Sequence, residues 1–278
     1  MPYQMETILN QCEPADFELI ADLLCGKHGF SDHIYTTFNL TATKTIEKLL
    51  RNYNRDNSDE NKRELIHRLE REIRYLGSND LATAARRICS EGLSKHPSGV
   101  SFDEMIMDVS KVLKIKQKRV GTPEDRLKHL VAACVERTFN DLSPENQRKI
   151  FRESGLKEKN TDTFFDRIKN NKQHVIQAII VVFDNATALK IITNTVVSLV
   201  AKVTSQKTAT IIATNIMKEY AIPTFFVDLL APLNIIWIAS SLASPAYRKT
   251  VPILLWLGVI AIRSDVKKDD NTWVPTDE

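Results

Sequence analysis

The chain has 278 residues, 38 Lys+Arg against 35 Asp+Glu, and a formal net charge of +3. Its 43% hydrophobic and 26% charged residues exclude a disordered or collagen-like chain. The near-neutral balance argues against a dedicated nucleic-acid binder, which would carry a strong basic excess. Eight glycines fall well below the roughly 7% usual in proteins, which disfavours Gly-rich phosphate loops and propeller or barrel folds.

The opening residues Met1 to Glu6 hold no basic stretch followed by an apolar one, so no secretory signal is expected. Cys12, Cys25, Cys89 and Cys134 are too scattered for a disulfide framework and fit a reducing cytosol better.

Charge divides the chain. Residues 171–263 hold 11 charged residues in 93, about 12%, against roughly 25% in ordinary globular proteins. Residues 1–170 hold 55, about 32%.

The charged part reads as helices in chain order. In Asp59–Leu76, Leu65, Ile66, Leu69, Ile73 and Leu76 form one stripe at helical spacing. Glu64 to Arg68 and Glu70 to Arg74 are expected i,i+4 pairs, and Gly77 is a C-terminal stop. Ser78–Asp80 can cap a helix carrying Leu81, Ala84, Ala85 and Ile88. Ser101 with Glu104 forms a capping-box pattern before Met105, Ile106, Val109 and Val112. Pro123-Glu124-Asp125 opens a helix through Leu127, Leu130, Val131, Cys134, Val135 and Phe139, and Ser143-Pro144-Glu145 opens another. Turns are expected at Asn54–Asp59, Lys95–Val100 and Lys116–Thr122. The basic cluster Lys114–Arg119 could touch phosphates or acidic lipid, but reads better as a solvated loop after a helix C-terminus, where cations suit the dipole.

The apolar part contains Gln173–Val203, an amphipathic stretch Lys207–Ala221, and Pro223–Arg263. Leu229–Tyr247 is 19 residues without a charge, enough to cross a hydrocarbon core of roughly 30 Å. After Arg248 and Lys249, Thr250–Ile262 adds 13 more uncharged residues, short for a span. The pattern predicts a hydrophobic helical hairpin with a basic connection at Tyr247 and Arg248. Pro223, Pro232, Pro245 and Pro252 mark its starts and breaks. Two environments suit it: a bilayer, or the centre of a soluble bundle. Trp237 and Trp256 fit a membrane interface or a core. Asp184, Lys190 and Asp228 stand as isolated charges among apolar residues and would need partners there.

Catalytic patterns are weak. There is no Walker loop, no G-x-G-x-x-G and no nucleophile elbow. Glu64-x-x-His67 has the spacing of a di-iron ligand pair, but a second copy is missing. Cys12, Cys25, His28 and His33 are four zinc-ligand types at irregular spacing; apolar core and loop positions account for them better. Asp103, Glu104 and Asp108 crowd a helix start, where they favour its dipole. No catalytic, cofactor-binding or metal residue is therefore assigned.

Three segments carry a family resemblance. Leu76–Leu81, Asp108–Ile115 and, most specifically, Ser244-Pro245-Ala246-Tyr247-Arg248-Lys249-Thr250-Val251-Pro252 resemble the uncharacterised bacterial YaaW family. Leu9–Glu13 through Leu23-Leu24 is similar to the short module that often begins those proteins. The hairpin departs from the family, with Leu230, Leu233, Ile235, Ile236 and Trp237 where small residues are common. The resemblance implies architecture and bacterial origin, not a reaction.

The expected fold is all-α: a short helical module (1–30), a charged helical region (31–170), an apolar helical region (171–263) with a hairpin at 223–263, and a polar tail (264–278). The expected function is that of a non-enzymatic, membrane-associated cytosolic protein whose hairpin inserts in or docks on the bilayer. Pore formation and oligomerisation on the membrane are compatible with it. The alternative is a soluble helical adaptor for a protein partner, with the hairpin as buried core. A hydrolase or metal enzyme is a third class. Membrane or interaction candidates are Asp184, Lys190, Asp228, Trp237, Tyr247, Arg248, Pro252 and Trp256. No cofactor and no nucleic-acid partner are expected.

Overall fold

Among the described residues, the last helix lies innermost. The computed structural model describes residues 4–25, 40–77, 100–117, 121–153, 162, 165, 179, 183–204 and 245–267. The protein is all-α, and no strand occurs among the described residues. In chain order the helices are α1 (Gln4–Leu9), α2 (Pro14–Cys25), α3 (Leu40–Asp56), α4 (Asp59–Gly77), α5 (Phe102–Val112), α6 (Pro123–Asn140), α7 (Pro144–Glu153), α8 (Asn185–Val203) and α9 (Pro245–Lys267).

Local chemistry explains the boundaries. Pro14 begins α2, and the Asp16 carboxylate accepts the Glu13 N–H at 2.7 Å. Only Asn57 and Ser58 separate α3 from α4, a tighter turn than Asn54–Asp59. Asn57 takes a left-handed φ of 49°, which Asn tolerates better than most residues. Ser58 Oγ then accepts the Asn61 N–H at 3.3 Å, starting α4. Leu65, Ile66, Leu69 and Ile73 of its stripe are buried. Arg74 pairs with Glu70 as expected, whereas Arg68 reaches forward to Glu72 at 2.9 Å rather than back to Glu64.

Ser101 caps α5 by accepting the Glu104 N–H. At its far end the Ile115 N–H returns to Ser110 O at 2.8 Å, with Lys114 left-handed at φ 56°, a Schellman-type stop made without glycine. A full capping box opens α6, formed by Thr122 and Asp125 one position ahead of Pro123. Ser143 caps α7 through the Asn146 N–H.

Every residue of α9 from Lys249 to Arg263 is buried. The helix packs against α1, α2, α4, α5, α6 and α8, while α3 lies outside, on α2 and α4. Gly258 permits the close approach to α6: a Cβ there would sit 2.3 Å from Val131 Cγ2 and 3.2 Å from the Leu127 carbonyl oxygen. The charged and apolar regions of the sequence thus share one core. Phe139, Phe151, Phe165 and Phe183 form an aromatic group joining α6, α7 and the approach to α8, with centroids 5.2–5.8 Å from Phe151.

The apolar stretch Thr250–Ile262 is therefore the middle of a longer helix. Tyr247 and Arg248 fall in the first turn of α9, not in a connection between two arms. The uncharged stretch rises about 20 Å, short of the roughly 30 Å of a hydrocarbon core. Among the described residues no helix is long and apolar enough to cross a membrane. The first arm, Leu229–Ser244, lies outside the described residues.

Candidate functional site: the charged anchors of the central helix

Charged side chains hold α9 near both of its ends. Near its start, Lys249 donates to the Leu24 carbonyl oxygen at 2.8 Å, in the last turn of α2. A buried ammonium is favoured there, because the α2 carbonyls carry the negative end of the helix dipole.

Near its end, Arg263 grips Asp16. Arg263 Nη2 lies 2.6 Å from Asp16 Oδ2 and Nη1 lies 3.4 Å from Oδ1. Arg263 also donates to Gln11 O at 3.1 Å. Trp256, fully buried, donates its indole N–H to Asp16 Oδ1 at 3.1 Å. With the Glu13 N–H, the Asp16 carboxylate receives four donor contacts, which fills its acceptor capacity. Burial raises the Asp16 pKa, opposed by the Arg263 charge and hydrogen bonds. One turn on, Lys267 pairs with Glu13 at 2.6 Å.

A second anchor lies on α6. Lys128 donates to Asp265 at 2.5 Å and to Glu124 at 2.8 Å. Burial alone would lower the Lys128 pKa, but the two carboxylates more than offset it and raise it. Buried ions are tolerated here because each has a partner of opposite charge or a carbonyl dipole. Chemically this is a clasp. The Asp16 carboxylate is consumed by donors, which suits holding a helix in place.

The residues singled out in the sequence fall in different places. Asp184 is exposed at the start of α8, where it accepts the Thr187 N–H at 2.8 Å and the Thr187 hydroxyl at 3.1 Å. Lys190 is exposed on the same helix. Neither charge sits in apolar surroundings. Trp256 and Pro252 are buried in α9, while Tyr247 and Arg248 are half-buried at its start. Asp228 and Trp237 lie outside the described residues. The structure thus groups Tyr247, Arg248, Pro252 and Trp256 on one helix and leaves Asp184 and Lys190 on another.

Asp16, Lys128, Lys249 and Asp265 were not singled out by the sequence, and Arg263 entered only as the end of the expected hairpin rather than as a buried partner of Asp16. A faint signal exists: Lys249 and Arg263 bound the uncharged run, and Asp16 stands two residues after a helix-opening Pro14. Of the zinc-type group, Cys12 is buried and Cys25 half-buried, while His28 and His33 lie outside the described residues. His67 is exposed on α4. Among the described residues no group of three or more His, Cys, Asp or Glu is placed to hold a metal ion.

The chain is similar to a UPF0174 protein of Helicobacter pylori (strain J99 / ATCC 700824). The two are 23% identical over 272 residues, covering 95% of this chain and 92% of the relative. The likeness supports a place near an uncharacterised protein family. No family model matches the chain. No solved structure matches it.

Proposed function

We propose that this is a non-enzymatic helical protein that docks on a bilayer from the cytosolic side, using the uncharged run Leu229–Tyr247. Resemblance to the YaaW family fits that reading without assigning a reaction. The observation that carries it is the position of the run. It enters α9 at Pro245, and α9 is anchored in the protein by Lys249, Arg263 and Asp265. A 19-residue uncharged segment rooted in a clasped helix can meet lipid while the bundle stays folded. In this reading the docking element is the run itself. The stretch Thr250–Ile262 remains its seat rather than a returning membrane arm.

A second reading is favoured by one observation. The burial of Lys249–Arg263 against six helices, five of them from the charged part of the chain, is an example of this chain covering an apolar helix with its own protein. Extended to Leu229–Tyr247, it gives a soluble adaptor that meets a protein partner through its charged surface.

Flotation of the full-length protein with liposomes separates the two. Ile236→Asp is expected to weaken membrane binding by roughly the 2.5–3.5 kcal/mol that a central charge costs in insertion, with circular dichroism checking the fold. A wild-type protein that floats with no vesicle leaves the adaptor reading in place.

A further inference from the structure

We propose that the outer face of α3 is a docking surface for the anionic phospholipid headgroups of a membrane. Two opposed faces define this helix. Ala42, Ile46, Leu49 and Tyr53 are buried. Lys44, Lys48, Arg51 and Arg55 are exposed. At 100° per residue the four cations fall within roughly 60° of arc, opposite the buried face, and extend about 16 Å along the axis.

No ion pair among the described residues engages any of the four. Glu47 is an exposed acid at the edge of the stripe. Asp56, also exposed, is occupied by the Asn61 amide and the Ser58 N–H. The neighbouring outer face of α4 differs, since its exposed Glu60, Arg63, Glu64, His67 and Arg71 mix the two signs. An unbroken row of cations on a surface helix is the pattern that complements a negatively charged leaflet.

Position supports the same occupant. The helix α3 packs on α2, with Thr43, beside Lys44, close enough to the Cys25 thiol to act on its charge. Cys25 follows Leu24, whose carbonyl takes Lys249. The stripe therefore begins at the end of the bundle where α9 starts, which is where Leu229–Tyr247 joins it. A bilayer that receives this run brings Lys44 and Lys48 to headgroup level. That orientation rests on the membrane-docking reading. The stripe adds a lipid class to it, because each cation held at an anionic surface raises partitioning by about fivefold.

The test is flotation of the full chain with vesicles of phosphatidylcholine alone and of phosphatidylcholine with phosphatidylglycerol, at low and high salt. Wild-type protein is expected to prefer the anionic vesicles and to lose the preference in salt. The quadruple variant Lys44→Gln, Lys48→Gln, Arg51→Gln, Arg55→Gln is expected to lose the preference a hundredfold or more. Its charge-preserving counterpart (Lys44→Arg, Lys48→Arg, Arg51→Lys, Arg55→Lys) should retain it, which separates charge from folding. The stripe double variant Lys48→Gln, Arg51→Gln is compared with Arg63→Gln, Arg71→Gln on α4, which removes the same charge; the stripe pair should lose about twenty-fivefold and the α4 pair only a few-fold. Equal binding to both vesicle types, or a stripe double variant no weaker than the α4 one, overturns the stripe. Membrane docking survives that result if Ile236→Asp still abolishes binding. Wild-type protein that floats with neither vesicle, but is captured by polyglutamate or RNA, overturns both and gives the stripe to an acidic macromolecule.

Discussion

Arg263 and Asp16 form a two-pronged ion pair, 2.6 Å and 3.4 Å long, between residues 247 positions apart in the chain. It ties the start of α2 to the end of the innermost helix. Removing one partner leaves the other charge buried and uncompensated. Arg263→Ala is expected to destabilise the fold by about 3–5 kcal/mol. Asp16→Ala should cost a similar amount and also release the Trp256 N–H. The double variant should cost clearly less than the sum, because the stranded charge is gone. Urea unfolding of the four proteins measures this coupling, and additive losses would mean that the two residues act independently.

Contact between α9 and α6 depends on the missing side chain at Gly258. Alanine there must displace Val131 Cγ2, 2.3 Å from the new Cβ, and press on the Leu127 carbonyl at 3.2 Å. Gly258→Ala is expected to lose about 1–3 kcal/mol, although alanine is the better helix former. Adding Val131→Ala should recover part of the loss, and the backbone contact should prevent full recovery. Thermal melts of the single and double variants test this. A stabilised Gly258→Ala would show that the helices can part at little cost.

Local patterns were readable in the sequence and long-range ones were not. The stripe Leu65, Ile66, Leu69, Ile73 and the caps at Ser101 and Ser143 follow from spacing alone, and the structure places them as expected. Asp184 was visible, but its apolar neighbourhood made it look stranded. Its role depends on Thr187 three residues on, a short-range hydrogen bond that hydropathy does not register. Arg263 and Asp16 carry no local signal for each other, since only the fold brings them together. The uncharged length of Thr250–Ile262 likewise does not distinguish lipid from protein surroundings. Burial against α1, α2, α4, α5, α6 and α8 decides that for this stretch.

Asp184 also makes the start of α8 sensitive to acid. The Thr187 backbone hydrogen bond holds its carboxyl below the usual carboxylate range. A carboxylate with a lower pKa in the folded than in the unfolded state stabilises the fold above its unfolded pKa, near 3.8. That contribution fades as pH falls through the folded pKa. Asp184→Ala is expected to cost about 1 kcal/mol at neutral pH, as loss of a helix N-cap does, and less in strong acid, where the neutral carboxyl still accepts the Thr187 N–H but without its charge. Denaturation at a series of pH values measures the convergence. A variant equally destabilised at all pH values would assign the cap a role that does not depend on charge.

The thiols report on core opening. Burial pushes Cys134 up to about 12 and Cys25 up to about 11, and it drives Cys12 well above its ordinary value, with the Asp16 charge adding to the effect. Thiolate is the reactive form, so iodoacetamide at pH 8 should label none of the three in the native protein on the timescale of a free thiol. Peptide mapping after partial denaturation should show Cys12 and Cys134 appearing together, because both lie in the core around α9. Labelling of Cys12 well before Cys134 would instead show that the α1–α2 end opens on its own.

Asn194 is a buried polar residue left unsatisfied. It lies on α8 with 1% of its surface exposed, and among the described residues neither its amide oxygen nor its amide nitrogen has a hydrogen-bond partner. Beside it, Thr193 is buried with its hydroxyl unpaired, whereas Thr195 and Ser198 bond back to the carbonyls of Ile191 and Asn194. Hydroxyls can return to their own helix in this way, but the Asn194 amide makes no such return bond. A buried amide without partners costs on the order of 1–3 kcal/mol, and a similar-sized apolar side chain would remove that cost. Asn194→Leu is therefore expected to raise stability by about that amount. Asn194→Asp should lower it sharply, since a charge would replace an already unsatisfied dipole. Urea midpoints for the two variants test the account together. If Asn194→Leu is destabilised as well, the amide has a partner in the folded protein and the cost assigned to it here does not exist.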